Sequence, residues 1–327
     1  MRNLIRLVLW TLLAATLVAS PAHAYPISPV PLWELVVDSD LVVVAQVDGV
    51  REKEKQEDDI FPFSIARLVV HETWKGESLQ TVEVVFPAGL ICPAPPRYLD
   101  KKTVVAFLAK DDGSWSTVAL SYGTLYPTGS EIDDLRIMVR SARALLEDGA
   151  SPAEKTDWLV EAAARPGTRW HGLYEILPAA DQLHSYYDGN TRTAESDLLT
   201  RDQLARIAAG FAASPSTDRT LPMALAVLAP YRSDSVSRAS VAAIEALVAQ
   251  EEVPWWIPDA LVAVLERYGD RNAKARVATL GGDFDERDAK RVRELWERAK
   301  AELGIPKVAP APLRDQEVWG TGENTPS

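Results

Sequence analysis

The amino-acid sequence predicts an α+β chain of several domains, in which a small antiparallel β domain is followed by an all-α domain of helical hairpins. Between residue 41 and about residue 126, apolar residues come in short runs rich in Val, Phe and Trp, separated by Gly, Pro and charged clusters. That is strand texture. After Gly129 the composition shifts to Ala, Leu, Glu and Arg, with apolar residues three and four apart, which is the helical period.

The first stretch reads as an export signal. Arg2 and Arg6 precede an apolar run over 7–19, and Ala22-His23-Ala24 matches the small-residue pattern of a cleavage site, so residues 1–24 are expected to be removed between Ala24 and Tyr25. The run is shorter than the roughly 20 apolar residues a spanning helix needs, and no later segment approaches that length, so no membrane span is expected after cleavage. The expected location is periplasmic or extracellular. Cys92 is the single cysteine, which rules out an intrachain disulfide. Its apolar neighbours Ile91 and Pro93 offer no activating cation, so it reads as a small buried hydrophobe, with intermolecular pairing as the exception.

Charge narrows the partners. Setting Arg2 and Arg6 aside from 35 basic residues leaves 33 against 47 acidic ones, a formal charge of −14 on the exported chain. Nucleic acid is bound by clustered Lys and Arg, whereas Arg291, Arg293, Glu294, Glu297 and Arg298 interleave as on a solvated helix face. No nucleic-acid partner is expected.

In chain order, Leu32, Leu35 and Val36 predict a short lead-in helix, and strands follow at 41–50, 63–72, 81–86, 103–108 and 114–119. Lys75-Gly76-Glu77 and residues 110–113 supply turns between neighbours. The charged run 51–59 reads as a loop between two strands. Helices are predicted at 132–146, 153–164, 198–213, 221–228, 236–249, 257–268 and 286–303. Ser151-Pro152 opens one of them, while Asp285 and Gly304 bracket the last. The domain expectation is therefore a β domain over 25–128 and a helical domain over 129–304.

Within the helices the stripe Leu204, Ile207, Phe211 recurs as Val241, Ile244, Val248, and Leu221, Leu225, Leu228 recurs as Leu261, Leu265, Tyr268. Stacked helix pairs of this period are the mark of HEAT-type solenoids, here over 198–303, with an ordinary helical bundle as the other reading. Residues 305–327 turn to Pro and polar residues and read as a disordered tail with one large anchor, Trp319.

The β domain also carries a resemblance. Its residues are Asp38-Ser39-Asp40-Leu41 with Val42 through Val47, then Thr73-Trp74-Lys75-Gly76, Cys92-Pro93, Arg97-Tyr98, and Val104 through Leu108. Over about 90 residues this segment resembles exported bacterial proteins with an OB-like barrel similar to the netrin and tissue-inhibitor-of-metalloproteinase modules. The resemblance implies a small β-barrel. It does not imply protease inhibition, because those inhibitors chelate zinc through an N-terminal Cys, and Tyr25 stands at that end.

Chemistry is sparse. The sequence holds no G-x-S-x-G, no phosphate-cradling Gly-rich loop, no H-E-x-x-H and no C-x-x-C. No cofactor is expected. The densest cluster runs from Trp170, His171, Tyr174 and Glu175 to His184, Tyr186, Tyr187 and Asp188. His171 and Glu175 would share one helix face, so a metal or acid/base pocket is one reading and packing at a hairpin junction the other. Residues 282–288 suggest a Ca²⁺ loop but lack its central Gly and terminal Glu, so helix capping is the simpler reading. Trp255 and Trp256, adjacent between Pro254 and Pro258, cannot face the same way, and Trp is enriched at protein contacts. The leading expectation is an exported, non-catalytic protein that binds an unidentified protein partner through Trp255, Trp256 and Trp319. The alternative is a hydrolase or small-ligand protein using His171, Glu175 and His184.

Overall fold

A computed structural model describes residues 30–55, 62–89, 94–177, 199–281 and 286–313. The expected signal with its cleavage point at Ala24 and Tyr25 lies outside the described residues, as do Cys92, His184 and Trp319.

Strands β1 (Leu41–Glu52), β2 (Phe63–Lys75), β3 (Thr81–Pro87), β4 (Thr103–Asp111) and β5 (Ser114–Thr117) close into a ring. The order around it is β1-β2-β3-β5-β4 and back to β1. Four seams are antiparallel and the fifth, β3 with β5, is parallel. A two-residue strand β6 (Thr124–Leu125) adds to β4. The result is a small closed barrel, compatible with an OB-like one. Leu41, Val43, Ala45, Leu68, Val84 and Phe86 fill its interior. β5 stops short of the expected residue 119 because Ala119 and Leu120 both take positive φ, 52° and 54°, which no strand accommodates.

The barrel does not face solvent on all sides. Val42 and Val44 of β1 and Val105 and Phe107 of β4 point outward and join the core of the helices. The change at residues 126–130 is therefore one of secondary structure and not a gap in the core. The lead-in helix α1 (Leu32–Asp38) fills the seam with fully buried Leu32, Leu35 and Val36, and Trp33 meets Trp158 edge-on at 5.2 Å. Helix α2 (Glu131–Asp148) packs on β2. There the Arg136 Nε donates to both Glu72 oxygens at 2.9 and 3.1 Å, and Arg140 donates to one at 2.7 Å. Desolvation works against the Glu72 carboxylate, but the neighbouring Trp74 indole N–H together with these guanidinium bonds and charges outweighs it and holds its pKa below the ordinary value.

Beyond α2 the helices form two rows. One runs α2, α3 (Pro152–Ala164), α5 (Arg201–Ala213), α7 (Asp234–Val248) and α10 (Glu286–Leu303). The other runs α1, α4 (Arg169–Ile176), α6 (Thr220–Val227), α8 (Ile257–Arg267) and α9 (Ala273–Ala278). The recurring stripes thus lie on neighbours within a row, α5 beside α7 and α6 beside α8. Ser151 and Glu154 form a capping box on α3, and Thr200 with Gln203 does the same for α5, which moves that helix start three residues past the expected position.

Arginines tie the helix ends together. Arg267 donates to the carbonyls of Leu228 and Tyr231 at the end of α6. Arg293 donates to Val248 at 2.8 Å and to Gln250 at 2.9 Å at the end of α7. This corrects the solvated-face reading of Arg293. Its carbonyl partners, orphaned where a helix stops, come from more than 40 residues away, which charge patterning cannot show.

The expectation of disorder from residue 305 is also corrected over 305–313. Ile305 and Ala311 are buried, Val308 packs on the core, and the Ala311 N–H donates to the Ala242 carbonyl of α7 at 2.9 Å. A groove on the helices supplies the burial that composition alone does not reveal. Deleting residues 306–327 is expected to cost about 2 kcal/mol of apolar burial and to lower the melting temperature by roughly 5 °C. A thermal melt of the truncated chain that overlays the full one would show this packing to be inconsequential.

Candidate functional site

The site begins with α4, a helix whose eight residues are all buried. It sits against α3, α6 and α1. The close approach to α3 depends on Gly172, since a Cβ there would lie 2.3 Å from the Ala163 nitrogen and 2.5 Å from the Leu159 carbonyl oxygen. Two sequence-predicted residues, His171 and Glu175, are brought to this helix.

Glu175 is buried and its carboxylate pairs with the Lys155 ammonium of α3 at 3.0 Å. Lys155 also lies over the Trp33 ring, 5.3 Å from its centroid, which adds a cation–π contact. His171 is enclosed, and its ring meets Trp170 edge-on at 5.0 Å. Trp170 in turn stacks on Tyr174 at 5.1 Å. Burial pushes the His171 pKa down to about 3, so the imidazole is neutral at physiological pH. Glu34 of α1 reaches solvent, yet desolvation raises its pKa, with Lys155 opposing and Asp38 reinforcing the shift.

Arg169 opens α4 and is among the largest fully buried side chains. It uses all five donors. Its Nε donates to Ala163, one terminal nitrogen to Ala164 and Gly210, and the other to the Ser214 carbonyl at 2.6 Å and the Ser216 hydroxyl at 3.0 Å. The carbonyls belong to the last turns of α3 and α5, so one guanidinium terminates two helices, with its charge at the negative ends of both. Its plane also lies over Phe211 at 5.8 Å.

No family model, curated protein or solved structure matches this chain. Among the described residues no group of three or more His, Cys, Asp and Glu is placed to hold a metal. The chemistry that the described residues provide is a neutral imidazole beside a buried ammonium–carboxylate pair with aromatic walls, which suits holding helices together.

Sequence reasoning found His171 and Glu175 through their spacing. It missed Lys155, Arg169 and Glu34, and the only available signal was a Lys or Arg inside otherwise apolar, Ala-rich turns. His184, Tyr186, Tyr187 and Asp188 lie outside the described residues. Of the two Trp at the start of α8, Trp256 is 7% exposed and packs in the core, whereas Trp255 is 69% exposed. The shallow cleft between α9 and α10 is lined by three arginines, of which Arg276 pairs with Asp270 and Glu302 and Arg291 donates to the Thr279 carbonyl, with Arg298 the third. No helix among the described residues is long and apolar enough to cross a membrane.

Proposed function

We propose that this is an exported, non-catalytic interaction protein of the periplasm or extracellular space, whose helical rows form a HEAT-type scaffold and whose barrel is an OB-like module of the netrin and tissue-inhibitor kind. The observation that carries the reading is Trp255, which among the described residues presents the largest apolar side chain to solvent while its neighbour Trp256 is anchored in the core. An indole held out on a fixed turn is an inexpensive contact anchor, because its support is already ordered. The two-row stack with stripes recurring after 37 and 40 residues supports the scaffold reading. The parallel β3–β5 seam within an otherwise antiparallel ring supports the barrel reading. The engagement of Glu175 by Lys155 favours interaction over hydrolysis, since it leaves the carboxylate a structural task.

Affinity capture from the native envelope or secreted fraction tests the proposal, using the exported chain and its Trp255→Ala variant. The variant is expected to melt within about 1 °C of the parent, because the lost side chain is exposed, and to hold its partner at least about tenfold more weakly. Equal capture by both chains, or no captured protein at all, counts against it. Stoichiometric zinc in the purified chain, lost on His171→Ala or His184→Ala, would instead support the hydrolase or small-ligand reading.

A further inference from the structure

We propose that the helical rows carry a docking groove for an extended, proline-bearing peptide, and that residues 306–312 of this chain, with Lys307 facing solvent, occupy it in cis. The inference goes beyond the Trp255 surface and does not use it.

Helix α10 ends as Gly304 turns with φ +65° and the Ile305 N–H closes back on the Lys300 carbonyl at 3.1 Å. From there the chain is neither helix nor strand through Leu313. Pro306, Pro310 and Pro312 fix φ and remove three N–H donors, so the segment favours an extended form and cannot continue the helix. It lies across α7 and the 214–217 turn. The Ala311 N–H donates to the Ala242 carbonyl, which sits in mid-helix and accepts on its second lone pair. The Thr217 hydroxyl donates to the Pro312 carbonyl at 3.2 Å. Val308 and Ala311 supply the apolar contacts.

Two features mark this as a receptor surface rather than a tail that merely rests there. The floor is held from beneath by groups outside the segment: the Arg169 guanidinium donates to the Ser214 carbonyl and the Ser216 hydroxyl. The recognition elements are main-chain hydrogen bonds plus small apolar residues three apart, a mode that any extended Pro-bearing segment of like sequence satisfies at low ordering cost. A partner segment of that chemistry therefore competes with residues 306–312, and the cis segment sets the threshold it must exceed.

The test uses the full exported chain and a fluorescein-labelled peptide of residues 305–313, followed by fluorescence polarisation. Ala311→Pro removes the cis N–H while leaving the groove intact, and is expected to raise the affinity for the free peptide at least about tenfold. Adding Thr217→Val removes the groove's hydroxyl and is expected to reverse most of that gain. Hydrogen exchange on the unaltered chain gives a second readout that needs no variant. The Ala311 amide should exchange at least about tenfold faster than the amides of α7, through local opening. The proposal is overturned if Ala311 exchanges only as fast as α7, if Ala311→Pro binds no peptide at millimolar concentration, or if Thr217→Val leaves binding unchanged. Trp255→Ala should leave the peptide titration as it was, so failure of the groove and failure of the Trp255 surface are told apart.

Discussion

Arg169→Met is expected to lower the melting temperature by roughly 10 °C, one of the two largest effects predicted for this chain. The substitution keeps most of the side-chain volume and removes five hydrogen bonds to Ala163, Ala164, Gly210, Ser214 and Ser216. A buried acceptor left without its donor costs about 1–3 kcal/mol. Several of these carbonyls end helices and have no other partner of their own, so a total of about 4 kcal/mol is a fair expectation. At this size about 1 kcal/mol corresponds to 2–4 °C. Arg169→Lys should recover less than half, because an ammonium cannot span the ends of α3 and α5 at once. Thermal melts of the three chains decide the matter. A drop of under about 3 °C for Arg169→Met would mean that water or relaxation satisfies the two helix ends.

The second large effect is acid sensitivity traced to His171. Its folded pKa is depressed to about 3 from an ordinary 6.5. The unfolded chain therefore takes up a proton below pH 6.5 that the folded chain refuses, so this residue destabilises the fold progressively from pH 6.5 down to about pH 3. Between pH 7 and pH 5 the loss is about 2 kcal/mol, and it depends little on the folded value so long as that lies below 5. Carboxylates titrate over the same range, so the comparison is with His171→Leu. Denaturant unfolding at both pH values should show the parent losing about 2 kcal/mol more than the variant. Parallel losses would place a charge partner for His171 that raises its folded pKa back toward 6.5.

Most of the fold was legible because the burial is one-sided. Strands β2 and β3 and helices α2, α3, α5 and α7 announce themselves by a period and by a capping or turn residue such as Ser151 or Gly76, whereas β1 and β4, buried on both faces, show as unbroken apolar runs. Helix α4 was not legible, for the opposite reason: all eight of its residues are buried, so no polar face marks the period. The same enclosure hid the site. Lys155, Arg169 and Arg293 look like ordinary surface charges until residues far away in sequence are folded beside them, as Ser214 is beside Arg169. The stretch 305–313 failed in a third way, since its composition is that of a solvated linker and only the groove on α7 gives it something to cover.

Strand β1 raises a question of register. Leu41, Val43 and Ala45 point into the barrel and Val42 and Val44 into the helical core, so five consecutive positions are apolar and buried. In most strands a slip by one residue is forbidden because it would expose the greasy face and bury the polar one. Over 41–45 a slip exchanges valines for valines, and hydrophobicity objects only further along, where exposed Gln46 and Asp48 flank buried Val47. The first stretch has its own fixed points at the strand's start. The Asp40 N–H donates to the Leu108 carbonyl at 2.8 Å, and the Asp40 carboxylate accepts from the Lys110 N–H at 2.8 Å. Across the next seam Gly76, at φ +87°, passes so close that a Cβ would sit 2.3 Å from the Asp40 carbonyl oxygen. At this end of the barrel one aspartate and one glycine thus mark the register that the run of buried apolar side chains over 41–45 leaves open.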